Sequence, residues 1–123
     1  MKKFLLLIIV LALGLVSCTM SIEGKGSLIV SNYSEDSDLD IVGVYVKEDG
    51  AVGFTLVYSG VIADTKSYFI ELDPGNYAIK IAVKNNSRGG KTNYYETGYN
   101  IYKEITLKKS ASVIFDGKGI FFE

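Results

Sequence analysis

Beyond residue 26, apolar and polar side chains alternate along most of the chain with a period of two, the repeat of a half-buried strand. The plainest stretch has Tyr68, Ile70 and Leu72 alternating with Phe69 and Glu71. The turn Asp73-Pro74-Gly75-Asn76 follows, and then Tyr77, Ile79, Ile81 and Val83 alternate with Ala78, Lys80, Ala82 and Lys84. Pro74 presets φ and Gly75 accepts a positive φ. This predicts an antiparallel hairpin with one buried face and one wet face. Upstream, residues 27–33 read as a first strand and 41–46 as a second, with Val42, Val44 and Val46 on one face. Glu48-Asp49-Gly50 reads as a tight hairpin turn, because Asp-Gly supplies the positive φ of a two-residue connection, and residues 54–58 return. Downstream of a glycine-containing loop at 85–92, strands are predicted at 102–107, at 112–115 and, past Asp116-Gly117-Lys118-Gly119, at 120–122. No ten-residue window carries the pattern of a capped amphipathic helix. The expected fold is all-β, an antiparallel β-sandwich of seven to eight short strands over residues 27–123.

The first residues follow a different rule. Met1-Lys2-Lys3 is basic, residues 4–15 form an apolar run without a polar face, and Leu15-Val16-Ser17-Cys18 ends it. Residues 4–16 offer thirteen positions, short of the about 20 that a membrane-spanning helix needs. The order of basic, apolar and small-before-cysteine segments is that of a signal peptide, and Leu15-Val16-Ser17-Cys18 resembles the lipobox of bacterial lipoproteins. The resemblance implies that residues 1–17 are removed and that Cys18 carries a diacylglyceryl group, with acylation of the new amino terminus. Several acyl chains of the palmitate kind hold a protein firmly to a bilayer, whereas one does not. Residues 18–26 then form the lipidated cysteine and a short tether, in which the eight residues 19–26 reach at most about 28 Å. Thr19 stands where an aspartate would retain such a protein at the inner membrane. By the same resemblance the expected location is the outer membrane of a bacterial cell envelope.

Composition narrows the function. Without residues 1–17 the chain has 11 basic against 14 acidic side chains, a balance that does not draw nucleic acid. There is no histidine, so no histidine-based triad or proton shuttle and no ordinary zinc site can be built. Cys18 is the sole cysteine, and once acylated it leaves no thiol for a disulfide or a nucleophile. Gly24-Lys25-Gly26 and Gly117-Lys118-Gly119 lack the spacing and context of a phosphate loop. The expectation is a protein that is not an enzyme and needs no cofactor.

Two groups of residues are candidates for binding. Asp36, Asp38 and Asp40 alternate beside Glu35, as hard-cation ligands do, but Ile41 and Lys47 occupy the positions where a calcium loop needs Gly and Glu. A solvated turn is the preferred reading there. Tyr94, Tyr95, Tyr99 and Tyr102 lie near Arg88, and such an aromatic patch edged with hydrogen-bonding groups suits an envelope protein or a glycan. Tyrosines also cap sandwich edges with the ring packed and the hydroxyl wet. The strand pattern together with Leu72-Asp73-Pro74-Gly75-Asn76-Tyr77 resembles small extracytoplasmic sandwich domains of transthyretin-like or immunoglobulin-like type, which implies a fold and no functional residues. The expected role is a membrane-anchored binding or structural module. The alternative is a periplasmic inhibitor or assembly factor acting through the exposed loop at residues 73–76.

Overall fold

The structure is a computed structural model, and it describes residues 24–98 and 101–123. Among these residues nine strands are formed: β1 (Gly26–Asn32), β2 (Leu39–Glu48), β3 (Thr55–Ile62), β4 (Ser67–Leu72), β5 (Gly75–Asn85), β6 (Lys91–Glu96), β7 (Lys103–Ile105), β8 (Ser110–Phe115) and β9 (Ile120–Phe122). They make two sheets in the orders β4-β1-β8-β9 and β3-β2-β5-β6, with β7 also paired to β5. The two sheets face each other as a sandwich. Leu28, Val30, Ile70, Leu72, Val113 and Phe115 of the first pack against Ile41, Val44, Ile79, Ile81, Val83 and Ile105 of the second. Period-two alternation places these side chains on the two inner faces, so the all-β sandwich expected from the sequence is the fold observed.

Three details depart from the expected pattern. First, β4 and β5 are not a hairpin. β4 pairs with β1, and β5 pairs with β2, β6 and β7. The chain crosses from one sheet to the other at Asp73-Pro74, and the Tyr77 hydroxyl donates to the Asp73 carbonyl at 2.7 Å, the geometry of a tyrosine corner. Alternation tells which side chains are apolar, and an arch between sheets satisfies it as well as a hairpin within one. Second, β2 is bulged. Ile41 lies opposite Val83 and Gly43 opposite Ala82, so Val42 is the extra residue. The phase is reset there, and Ile41 rather than Val42 joins Val44 and Val46 inside. Third, Glu48-Asp49-Gly50 does turn, with the Ala51 amide donating to the Glu48 carbonyl at 2.8 Å and φ of +91° at Gly50. The connection nevertheless runs on until β3 begins at Thr55.

The edge strand next to β5 is interrupted. β6 pairs with residues 80–85 of β5, β7 pairs with 75–77, and Thr97 fills the gap. Its amide donates to the Ile79 carbonyl at 2.9 Å, and its hydroxyl accepts from the Ile79 amide and donates to the Ile101 carbonyl, each at 3.2 Å. The interruption makes nine strands out of the seven to eight expected. After β7 the chain crosses to the other sheet, where β8 runs parallel to β1. Gly26 permits that crossing, because any Cβ there would collide with the Thr106 carbonyl and the Ile105 side chain.

Asn32, at the end of β1, is fully buried. Its Nδ2 donates to the Leu39 carbonyl at 2.8 Å and to the Ile62 carbonyl at 2.9 Å, and its Oδ1 accepts from the Ser34 amide at 3.1 Å. Its main chain also donates to the Lys66 carbonyl and accepts from the Thr65 amide. One side chain thereby ties a strand of the first sheet to two strands of the second. Asn32→Ala is expected to lower stability by about 2–4 kcal/mol, since two buried carbonyls lose their donor, measured by urea unfolding. Asn32→Asp should be worse at neutral pH and partly recover in acid. A carboxyl facing carbonyls in a dry site has a raised pKa when folded, so its stability deficit grows as pH rises through the unfolded value and shrinks as pH falls.

The corner tyrosine gives an alkaline counterpart. Burial first, and then the Glu48 and Asp73 charges, push the Tyr77 phenol above its ordinary value. The unfolded chain therefore loses that proton first as pH rises past about 10, and stability falls from there until the folded phenol ionises. Tyr77→Phe is expected to lower stability by about 1 kcal/mol near neutrality and to flatten this alkaline limb in pH-dependent melting curves.

Candidate functional site

Strand order decides which of the sequence candidates meet. Along β6, Tyr94 lies opposite Ala82 and Tyr95 opposite Ile81, so the two neighbours point to opposite faces of the sheet. Tyr95 turns inward, packs against the core and meets Phe115 ring to ring at 5.1 Å. Tyr94 turns outward and is 60% exposed. Arg88 is exposed in a 3-10 turn (Asn86–Arg88) at the β5–β6 connection. Tyr102 is half-buried just before β7, and Tyr99 lies outside the described residues, as does Cys18. The four of the sequence-predicted binding residues that are described therefore do not form one patch, since Tyr94 and Tyr95 lie on opposite faces.

What does come together is a cluster on the outer face of the five-stranded sheet. Tyr45 of β2 lies opposite Lys80 of β5, and Lys80 opposite Glu96 of β6. The Lys80 ammonium sits 4.7 Å from the Phe54 ring centre, 5.0 Å from that of Tyr45 and 5.6 Å from that of Tyr94. Tyr45 and Tyr94 are 6.3 Å apart, and Lys47 lies 5.6 Å from the Phe54 ring centre. The floor is made of small residues. Ala78 and Ala82 are buried on this outer face, and a Cβ added at Gly43 would lie 3.4 Å from Tyr45 and 3.7 Å from Leu56, which places both of those side chains over the glycine. The outer face of β5, expected to be wet, is therefore roofed by rings. Each cation over a ring contributes about 0.5–1 kcal/mol at an exposed position, and the lysine stem covers apolar surface as well.

Neither Lys47 nor Lys80 has a carboxylate partner among the described residues, where the one ion pair is Lys25 with Asp73. The cluster therefore presents ring surface and two ammonium groups whose partners, among the described residues, are rings and not carboxylates. Sequence reasoning missed it because Tyr45, Phe54 and Lys80 lie far apart in the chain and meet only through the order β2-β5-β6. One signal was present in Tyr94-Tyr95, since adjacent residues of a strand cannot share a face.

The acidic candidates sit at the other end of the molecule from residue 24. Asp36 and Asp38 are exposed. The Asp36 carboxylate accepts from the Asp38 amide at 2.9 Å, and Asp40 accepts from the Asn86 side chain at 2.9 Å. These bonds shape a turn. No group of three metal-ligating side chains is gathered among the described residues. Residues 73–76 form no projecting loop, because Gly75 and Asn76 already belong to β5 and the Asp73 carbonyl is held by Tyr77. Three shallow depressions, of about 100, 320 and 590 Å³, cluster near the tether end, each bordered by residues of the β7–β8 segment.

The fold thus defines an all-β two-sheet sandwich carrying an aromatic and lysine cluster on one outer face. Compared with protein-family models, with curated proteins and with solved structures, the chain finds no match in any of the three.

The two neighbouring tyrosines should separate in mutagenesis. Tyr95→Ala is expected to lower stability by about 3 kcal/mol through loss of core packing. Tyr94→Ala should cost under about 1 kcal/mol, because an exposed ring buries little. Chemical denaturation of the two variants measures the difference.

Proposed function

We propose that the chain is a bacterial cell-envelope lipoprotein, anchored at Cys18 in the outer membrane, whose sandwich is a non-enzymatic binding or structural module. The leader and lipobox support the anchor, and the absence of histidine and of a free thiol supports a role without catalysis. The observation that carries the binding role is the outer-face cluster of Tyr45, Phe54 and Tyr94 around Lys80. A sheet face with rings and lysines suits an extended partner, an envelope protein or a glycan, and aromatic residues concentrate binding energy at such surfaces.

Two measurements test the reading. Cys18→Ala is expected to abolish incorporation of an alkyne-labelled fatty acid and to release the protein from the membrane fraction; unchanged labelling would refute the anchor. Separately, the purified full chain should capture a partner from detergent-solubilised envelope. A Lys80→Gln, Tyr94→Ala double variant should lose at least tenfold of the captured material while keeping its melting temperature within a few degrees. Undiminished capture by the double variant would remove this face from the function.

A further inference from the structure

Resting on the lipid anchor proposed at Cys18, we infer that the end of the sandwich where β1 begins docks on the bilayer surface, with Val52 and Leu107 inserted among the lipid headgroups. Strand direction gathers three connections at that end: residues 49–54 between β2 and β3, 73–74 between β4 and β5, and 106–109 between β7 and β8. Polar contacts tie them into one rim. The Asp49 amide donates to the Asn76 carbonyl at 2.8 Å, the Lys108 amide donates to the Lys25 carbonyl at 3.1 Å, and the Lys25 ammonium pairs with Asp73. Pro74 and Leu107 border the same depression of about 590 Å³. Each connection of the rim exposes an apolar side chain. Val52 is fully exposed at 104%, Leu107 is 51% exposed, and Pro74 is exposed as well. A Cβ at Gly50 or Gly53 would meet nothing within 4 Å, so the tip that carries Val52 stands clear of the rest of the molecule.

A single exposed aliphatic side chain is ordinary on a protein surface, but the two ends of this sandwich differ. The four connections at the far end carry Glu35, Asp36, Asp38, Asp64 and Asp116 against Lys66, Arg88 and Lys118, and Tyr33 is their one exposed large apolar side chain. Aliphatic tips are therefore confined to the end that the chain enters from Cys18. What covers that end follows from the length of the entering segment. Residues 19–23 alone lie between Cys18 and Gly24, a reach of at most about 20 Å, so an acylated Cys18 keeps the rim within reach of the headgroups. Val52, Leu107 and Pro74 would not hold a free protein to a membrane, but the anchor turns their contact into an intramolecular one at high effective concentration. Charge does not drive the contact. At this end Lys25, Lys47, Lys103, Lys108 and Lys109 are matched by Glu48, Asp49, Glu71, Asp73 and Glu104, so anionic lipid gains nothing over zwitterionic lipid.

The experiment is amide hydrogen exchange of the full lipidated chain reconstituted in phosphatidylcholine vesicles, with rates corrected for sequence-dependent intrinsic exchange. Amides of residues 50–54 and 106–109 should exchange about tenfold more slowly in the natural chain than in a Val52→Asp, Leu107→Asp variant, while residues 33–38 and 116–119 exchange alike in both. The variant should still float with the vesicles, because its anchor is untouched, and should melt within a few degrees of the natural chain, because both side chains are exposed. Adding phosphatidylglycerol to the vesicles should leave the slowing unchanged. Equal exchange of the rim in two chains that both float would overturn the inference and leave the anchor standing. Slowing that appears only with phosphatidylglycerol would overturn it too, since charge would then govern the contact. A natural chain that stays out of the vesicle fraction and carries no acyl group on Cys18 would remove the anchor and this inference together.

Discussion

The Asn32 amide is the constraint on which the two-sheet arrangement depends. Two sheets packed only through aliphatic side chains can slide over each other at modest expense, because the hydrophobic effect is non-directional. Asn32 removes that freedom. Its two N–H bonds end on carbonyls of β2 and β3, and its oxygen fixes the first residues of the loop leaving β1. At the opposite end the Tyr77 corner plays the matching part, holding the crossover from β4 to β5. Between these two polar ties lies a core without buried side-chain donors or acceptors left unpaired among the described residues.

The sequence made the inner faces legible and left the strand order hidden. Alternation around Ile70, Leu72, Ile79 and Ile81 named core residues correctly, since period two is a local property. Whether Asp73-Pro74 joins two strands of one sheet or arches between sheets is decided by what else pairs with β4, and β1 is more than thirty residues away. The bulge at Val42 is likewise set by its partner β5 and has no local mark beyond the nearby Gly43. The candidate site suffered most from this. Arg88, Tyr94, Tyr95, Tyr99 and Tyr102 were grouped by nearness in sequence, whereas strand parity splits Tyr94 from Tyr95 and strand order brings in Tyr45, Phe54 and Lys80.

The polarity of the molecule follows from β1. Its first residue, Gly26, lies opposite Leu72, and the Asp73-Pro74 crossover, the β2–β3 connection and the β7–β8 segment share that end. Five residues, 19–23, separate Cys18 from Gly24, six Cα-to-Cα steps with a reach of at most about 20 Å. With the lipid anchor proposed at Cys18, that end would be the one held near the bilayer, with β1 leading away from it. The aromatic and lysine face lies on the side of the sandwich and not at either tip, so it would be presented laterally to whatever fills the space beside the membrane.

The position of Lys80 shows which interaction governs that face. Its cross-strand neighbour is Glu96, yet the ammonium lies over the rings of Phe54, Tyr45 and Tyr94. An exposed lysine–carboxylate pair is worth about 0–1 kcal/mol, loses part of that to screening and leaves the lysine stem in water. Leaning over the rings gives several cation–π contacts of comparable size, and a lysine stem beside rings covers apolar surface as well. The rings thus win because they supply attraction and apolar cover together. Among the described residues the same choice leaves Glu96 without an ion-pair partner, although register sets it directly across from Lys80.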